Sequence, residues 1–170
     1  LAFPDSLAMI DAWFAAVDAE MLARCPAPML AGMKIRERIT ALVETRLAIV
    51  ADQRDALRRA VAILAMPNHA GRGARLGWRA ADVMWRAAGD TATDYNHYTK
   101  RAILSGVYAA TVTVFLNDES EGWADTRGFL ARRIEGIMRF EKAKAKLTGR
   151  PERHFSVSRF VGRLRYPAVR

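Results

Sequence analysis

One stretch of this chain is apolar on nearly every side of a helix, and it limits how the chain can fold. The stretch occupies about 103–116, at the end of a segment with helical periodicity that starts near 93. A helix of this kind is buried on several sides and needs more than one neighbour. We therefore expect it to lie inside a helical bundle, with neighbours on more than one side.

The rest of the chain is also predicted to be helical, because strand signals are almost absent and apolar residues recur at helical spacing. The six predicted helices lie at about 5–24, 34–51, 54–66, 74–88, 93–116 and 123–147. The segment 67–73 is rich in turn residues and is predicted as a loop, with Gly71-Arg72-Gly73 as a turn rather than a phosphate loop. We expect one all-α domain over 1–149, followed by a tail at 150–170.

The positive charge is concentrated at the C-terminal end. Residues 127–170 contain 13 lysines and arginines but three acids, within a chain of net charge +9. The tail repeats apolar residues at helical spacing with arginines between them, which predicts an amphipathic helix on an anionic membrane surface. The predicted membrane-binding residues are Phe155, Arg159, Phe160, Val161, Arg163, Leu164 and Arg165. The alternative is a helix that docks on its own domain or on a twin subunit. Nucleic acid is disfavoured, since no recognition helix or stacking platform accompanies the charge.

Motifs for catalysis, metal binding and membrane crossing are absent from the sequence. No stretch of 18 residues is free of charge, so we expect a soluble protein without a membrane-spanning helix. The single cysteine, Cys25, excludes an internal disulfide and fits a reducing compartment. The three histidines are scattered without metal-ligand spacing, and no nucleophile or phosphate-cradling motif is present. We expect no catalytic residue, no metal and no cofactor.

The segment 88–101 contains more helix caps and aromatic residues than a turn requires. Gly89 can end one helix. Four residues can each accept a backbone N–H at the start of the next helix: Thr91, Thr93, Asp94 and Asn96. Asp90 and Asp94 are interpreted as helix-start carboxylates rather than as an acid/base pair. His97 and Tyr98 are either a solvent-facing ring beside a core-edge ring, or contact residues on a partner surface, where tyrosine is enriched.

A series of short motifs follows in order along 43–138. They are Val43-Glu44-Thr45-Arg46-Leu47, Ala62-Ile63-Leu64-Ala65-Met66-Pro67, Met84-Trp85, Ala88-Gly89-Asp90, Thr93-Asp94-Tyr95-Asn96-His97-Tyr98-Thr99-Lys100-Arg101-Ala102, Asn117-Asp118-Glu119-Ser120, Asp125-Thr126, Phe129-Leu130 and Arg133-Ile134. In this order they resemble the ubiquinone-biosynthesis lipid-binding proteins of the Coq nine family, which are relatives of the TetR-like regulators. The most specific part lies at 85–101.

The resemblance implies the TetR-like C-terminal ligand-binding domain, usually a homodimer, with a hydrophobic pocket for an isoprenoid lipid. The dimer bundle is expected to come from the fifth and sixth predicted helices, because a helix that is apolar all round needs partners on more than one side. The resemblance implies a non-catalytic protein that binds a quinone precursor, or a phospholipid, and presents the lipid to the demethoxy-quinone hydroxylase. The expected location is cytoplasmic and peripheral on the inner membrane, on the matrix side in a mitochondrion. It also implies that the chain begins at Asp5-Ser6-Leu7, after a three-helix DNA-binding-type unit. The alternative is a ligand-responsive transcriptional regulator of TetR type.

Two groups of site residues are predicted. The lipid pocket is expected to be lined by Met66, Met84, Trp85, Leu104, Val107, Tyr108 and Thr111, because methionines suit an adaptable cavity, although plain core packing would use the same residues. The family's partner surface is centred on a Trp-Tyr pair that aligns with His97-Tyr98, so that this chain has histidine where the family has tryptophan. The predicted partner-binding residues are Asp94, His97, Tyr98 and Arg101.

Overall fold

The computed structural model describes residues 5–90 and 95–148, and every regular element within them is a helix. Seven α-helices follow one another along the chain: α1 (Ser6–Arg24), α2 (Ala27–Ala31), α3 (Ile35–Ile49), α4 (Arg54–Leu64), α5 (Ala70–Ala87), α6 (Tyr95–Leu116) and α7 (Ala124–Thr148). Short 3-10 turns occupy Ala51–Gln53 and Glu121–Trp123. The prediction of an all-α fold is confirmed, and the short α2 is added to the six expected helices.

Helix α2 lies in the gap between the first two predicted helices, 5–24 and 34–51. Pro26 precedes the helix with an extended backbone, and Pro28 lies in its first turn. The first N–H groups of a helix have no partner inside the helix, so proline costs little there. Five residues are too few to show an apolar period, which is why this helix was missed.

Helix α5 begins at Ala70, so the prediction of a loop over 67–73 is wrong in its second half. Contacts from other helices hold this glycine-rich turn in place. Arg72 Nε lies 3.0 Å from Asp11 Oδ2 of α1. Gly73 packs so closely on α4 that an added Cβ would lie 3.1 Å from the carbonyl oxygen of Leu64. Tertiary contacts thus outweigh the weak helix propensity of glycine at this position.

The core is built mainly from α1, α3, α5 and α6, and α5 packs most extensively against α6. Its fully buried apolar side chains include Met21, Leu42, Val43, Met84, Phe115 and Leu130. Helix α6 buries one side in this chain, whereas its opposite side is open and consists of small residues: Ala102, Gly106, Ala109 and Thr113. The homodimer interface expected on α6 and α7 stays a prediction.

Arginines from neighbouring helices satisfy the carbonyl groups at several helix ends. Arg38 of α3 donates to Met33 O at 2.9 Å and to Ala88 O, beyond α5, at 2.8 Å. Arg54 and Arg58 of α4 donate to the last carbonyls of α6 and to the residues just after it. A cation at a helix C-terminus meets the negative end of the helix dipole and fills acceptors that have no partner inside the helix.

The junction between α6 and α7 depends on Asp118, which is 4% exposed. Its carboxylate accepts the backbone N–H groups of Ser120 and Thr126, each at 2.8 Å, and both of their hydroxyl groups. Burial acts to raise the pKa of Asp118, but these four hydrogen bonds outweigh it and hold the pKa far below its usual range. The connector before α7 is therefore fixed by one buried carboxylate.

The chain divides into a unit over Leu1–Ile134 and a unit over Glu135–Arg170. In the second unit, the described part is the end of α7, where Arg139 and Glu135 are one helical turn apart. The predicted tail at 150–170 and its membrane-binding residues lie outside the described residues. Within the described ranges, none of the helices is both long enough and apolar enough to cross a bilayer.

Candidate functional site

Three aromatic rings lie together where α5 packs on α6, and we call them the aromatic face: Trp78, His97 and Tyr98. Tyr98 is 62% exposed. Its ring centroid lies 6.1 Å from that of Trp78 and 5.2 Å from that of His97, the latter in an edge-on arrangement. His97 and Tyr98 thus lie side by side on α6, and Trp78 of α5 joins them from the neighbouring helix. A partner role for His97 and Tyr98 stays a prediction.

A cluster of ion pairs lies beneath the aromatic face and holds the first turns of α6. Arg101 is 1% exposed. Its guanidinium lies 2.6 Å from Asp82 and 3.1 Å from Asp90, and it also donates to the carbonyl oxygen of His97. Lys100 Nζ lies 2.7 Å from the other oxygen of Asp90. Arg101, predicted as a partner contact, thus lies under the surface and positions the residues that are exposed.

The two carboxylates of this cluster are held in their charged form. Burial acts to raise the pKa of Asp82, but the hydrogen bond from Arg101 and the charge of Arg86 outweigh it and the net pKa is lowered. The pKa of Asp90 is lowered in the same way, with Lys100 and Arg101 opposing the effect of burial. Asp90 therefore serves as an ion-pair partner for side chains of α6. Asp94, the other predicted carboxylate, lies outside the described residues.

The predicted end of α5 is confirmed by its backbone. Gly89 has φ of +90°, a left-handed conformation that favours glycine, and it follows the last turn of α5. The N–H of Asp90 returns to the carbonyl oxygen of Trp85 at 3.0 Å. Asp90, directly after this turn, lies within reach of Lys100 and Arg101 of α6.

Most of the predicted lipid-pocket residues lie in one part of the core. Met84 and Leu104 are buried in the main core cluster, and Trp85, Val107 and Tyr108 pack against it. Two further contacts tie this region together. The indole N–H of Trp85 donates to Lys100 O at 3.0 Å, and the Tyr108 ring lies 5.1 Å from the guanidinium of Arg46.

The two remaining pocket residues differ from each other. Thr111 is fully buried and its hydroxyl donates to the carbonyl oxygen of Val107 one turn earlier, at 2.7 Å. Met66 is 46% exposed and stands apart from the core cluster. Lipid binding at these seven residues stays a prediction.

A cleft of about 340 Å³ lies elsewhere in the same unit, where α2 and α3 face the start of α7. Its walls are mostly apolar, with one carboxylate and one guanidinium among them. The lining residues are Met29, Ala41, Glu44, Thr45, Leu47, Ala48, Trp123, Thr126, Arg127 and Leu130. Sequence reasoning missed it, because its walls come from segments about 80 positions apart. One feature of the sequence could have indicated the cleft: Trp123, an aromatic residue that directly follows the acidic segment 117–122.

The described helices define a TetR-like all-helical domain. The structure matches the crystal structure of a TetR transcriptional regulator from Nitrosomonas europaea ATCC 19718 with a TM-score of 0.61 and 25% sequence identity. The match covers 74% of this chain and 69% of the regulator. The predicted TetR-like fold is therefore confirmed.

Within that fold, residues 70–141 match the COQ9 family model, so that α5, α6 and the aromatic face all lie inside the matched region. The ubiquinone biosynthesis protein COQ9, mitochondrial, of Rattus norvegicus is 40% identical over 96 residues, which are 56% of this chain and 31% of that protein. The human protein of the same name is 38% identical over 56% of this chain and 30% of its own length. The resemblance to the COQ9 family is confirmed.

A more distant relative extends the match in length. The Drosophila melanogaster protein of the same name is 29% identical over 107 residues, which are 63% of this chain and 33% of that protein. The chain thus spans about a third of the length of the curated relatives it matches. All three relatives are named as mitochondrial proteins of ubiquinone biosynthesis.

Proposed function

We propose that this chain is the helical domain of a non-catalytic accessory protein of ubiquinone biosynthesis. It binds an isoprenoid quinone precursor and presents the precursor to the demethoxy-quinone hydroxylase at a membrane. The proposal is carried by the 40% identity to a ubiquinone biosynthesis protein, together with the COQ9 family match over residues 70–141, which contain the aromatic face. The proposed location is peripheral on the inner membrane, on the matrix side where the cell has mitochondria.

Lipid binding is supported by the physics of the ligand and by the open space in this unit. A polyprenyl chain is insoluble, and removing it from water stabilises the complex by about 25 cal/mol per Å² of apolar surface. A helical domain with an apolar cleft of about 340 Å³ has room for part of such a molecule. The rest of the isoprenoid would lie along apolar surface outside the cleft or in the predicted core pocket.

Docking of the hydroxylase is assigned to the aromatic face. An exposed tyrosine with two further rings beside it is typical of an interface centre, where aromatic side chains provide much of the binding energy. The ion-pair cluster beneath keeps the first turns of α6 in place, so the face is ordered before the partner arrives. Homodimer formation through α6 and α7, and membrane contact through the tail, complete the proposal.

The lipid part of this proposal is tested by native mass spectrometry and by analysis of organic extracts from the purified chain. We expect an isoprenoid or a phospholipid in stoichiometric amount. An unrelated helical protein purified in parallel controls for adventitious lipid. Recovery of neither lipid class above that control would contradict the proposal, and one equivalent of iron or zinc per chain would contradict its non-catalytic part.

The tail is tested separately by flotation with vesicles that contain anionic phospholipid. Replacement of Arg159, Arg163 and Arg165 by glutamine removes three positive charges, each of which contributes about 1 kcal/mol at an anionic surface. We expect flotation of the triple variant to fall at least tenfold, while neutral vesicles show no difference between the two proteins. Unchanged flotation would refute the membrane role of the tail.

A second candidate function is a ligand-responsive transcriptional regulator, which the match to the TetR regulator from Nitrosomonas europaea supports. DNA binding would require a recognition helix at the N-terminal side of the domain. Footprinting with the natural full-length protein, in the presence and absence of an isoprenoid, separates the two functions. A protected operator that is released by ligand would favour the regulator over the accessory protein.

A further inference from the structure

The cleft between α3 and α7 has a wall that the backbone holds in an unusual conformation. Trp123 has φ of +57°, a left-handed value that is uncommon for a residue with a large side chain, and Gly122 before it has φ of +56°. The Trp123 ring packs edge-on against Phe115 of α6, with the centroids 5.3 Å apart. This packing fixes the indole as one wall of the cleft. Strained backbone of this kind is typical of binding sites.

Two opposite charges line the cleft without meeting each other. Glu44 comes from α3 and is half-buried, and Arg127 comes from α7 and is exposed. Among the described residues, neither side chain has a hydrogen-bond or ion-pair partner, including the other one. The hydroxyl groups in the cleft differ in this respect, because Thr45 contacts Cys25 and Thr126 donates to Asp118. The unused acceptor of Glu44 and the unused donors of Arg127 are therefore available to a ligand.

The size of the cleft limits the ligand. A volume of about 340 Å³ is at the low end of the range for ligand sites, which is about 300–1,000 Å³. It holds a substituted ring with a few chain carbons but not a long polyprenyl chain. An aromatic wall suits a ring, and a carboxylate opposite a guanidinium suits a ring that both donates and accepts hydrogen bonds.

We propose that this cleft binds the oxygenated aromatic head group of an amphiphile, a phenol or quinol ring, and that the apolar chain leaves through its mouth. The ring lies against Trp123, a ring hydroxyl donates to Glu44, and a neighbouring ring oxygen accepts from Arg127. This inference rests on the proposed function, since it concerns the precursor that the accessory protein would carry. It adds a head-group site at residues outside the predicted lipid pocket.

The test compares two probes by isothermal titration calorimetry: a methoxyphenol with a decyl chain, and decylbenzene, which has the chain and ring but no oxygen. Each is titrated into the wild type and into Glu44→Gln and Arg127→Gln. Loss of a charged hydrogen-bond partner weakens a polar contact by about tenfold. We expect that loss for the phenol in both variants and no loss for decylbenzene.

Matched controls remove one negative and one positive charge at exposed positions away from the cleft. Asp52→Asn and Arg132→Gln change exposed residues that do not line the cleft, so their affinity for both probes should equal that of the wild type. Trp123→Phe keeps an aromatic wall, and it should abolish the tryptophan fluorescence change that accompanies binding of the phenol while leaving the affinity within about threefold.

The possible outcomes separate this inference from the proposed function. If the wild type binds the phenol and both charge variants bind it equally well, the head-group site is refuted while lipid binding stands. If the wild type binds neither probe and its extracts contain no isoprenoid, the proposed function itself fails. Ala48→Phe fills the cleft and should abolish phenol binding. Where that variant does not fold, the glutamine variants decide the question.

Discussion

The aromatic face and the cleft are both candidate sites, but they are built in opposite ways. The face comes from neighbouring positions on α6 together with one ring from the adjoining α5, and ion pairs fix it from below. The cleft comes from helices distant in sequence, and Glu44 and Arg127 in its walls have no hydrogen-bond or ion-pair partner within the part of the chain that the structure describes. A surface that is held rigid by satisfied charges suits protein docking, whereas unsatisfied charges beside apolar walls suit a small ligand. The two sites are therefore expected to respond differently to mutation.

The largest expected loss of stability comes from removing Arg101, the buried cation of the ion-pair cluster under the aromatic face. Arg101→Met leaves Asp82 and Asp90 without their shared buried partner, and loss of one member of a buried pair costs about 3–5 kcal/mol. Urea denaturation monitored by circular dichroism measures the loss in unfolding free energy. Arg86→Met removes an exposed partner of Asp82 and should cost less than about 1 kcal/mol. Equal losses in the two variants would mean that Arg101 does not anchor the face.

The next largest effect is expected on partner affinity when Tyr98, the exposed ring of the face, is removed. It shows whether this side chain binds a partner or stabilises the fold. Tyr98→Ala should weaken binding of the hydroxylase by about 2 kcal/mol or more, as at an interface hot spot, because Tyr98 is 62% exposed in the single chain. The unfolding free energy should change by less than about 0.5 kcal/mol. His97→Trp restores the ring that the resemblance places there and should strengthen binding. Calorimetry with the purified hydroxylase measures both, and unchanged affinity in Tyr98→Ala would remove the face as a docking site.

The third effect tests whether the cleft depends on the connector before α7. Asp118→Asn loses a charged acceptor of four hydrogen bonds, so the unfolding free energy should fall by about 1–3 kcal/mol. Because Thr126 lines the cleft, phenol affinity should fall as well, while hydroxylase binding should not.

The pH dependence of stability provides an independent check on Asp118. Its pKa is lowered in the folded state, so its contribution is fully present above the unfolded value of about 4 and is lost as pH falls below it. Between about pH 4 and pH 2, the wild type should therefore lose more stability than Asp118→Asn. Parallel stability curves for the two proteins over that window would contradict the assignment.

The smallest effect concerns the contact between α5 and α6. An added Cβ at Gly77 would lie 2.8 Å from the hydroxyl oxygen of Ser105, so Gly77→Ala should lower the unfolding free energy by about 1 kcal/mol. Adding Ser105→Gly removes that hydroxyl and should relieve the clash. Gly106 has open space around it, and Gly106→Ala should stabilise the helix by about 0.5–1 kcal/mol. A double-mutant cycle on thermal unfolding measures the coupling free energy between the substitutions at Gly77 and Ser105. No coupling between Gly77 and Ser105 would show that the helices adjust freely.

The helices, their main breaks and the likeness to a family could be predicted from local features. Apolar residues at a period of 3.6 predict a helix wherever the chain lies, and Gly89 ends α5 as expected because its left-handed backbone is a local requirement. His97 and Tyr98 could be singled out because they are neighbours in the sequence, and their partner role stays a prediction. The start of α5 was placed wrongly because Arg72 and Gly73 are held by partners in α1 and α4, which no local pattern indicates.

The amino-acid sequence by itself therefore determined the helical class and most helix ends, since each depends on residues within a few turns of one another. Only the tertiary structure decided that Arg101 is buried, that Trp78 joins the aromatic face, and that Glu44 and Arg127 line one cleft. Those facts depend on which helices pack together. Packing is determined by the sum of many weak contacts between distant segments, so the residues of one segment do not indicate which other segment packs against it.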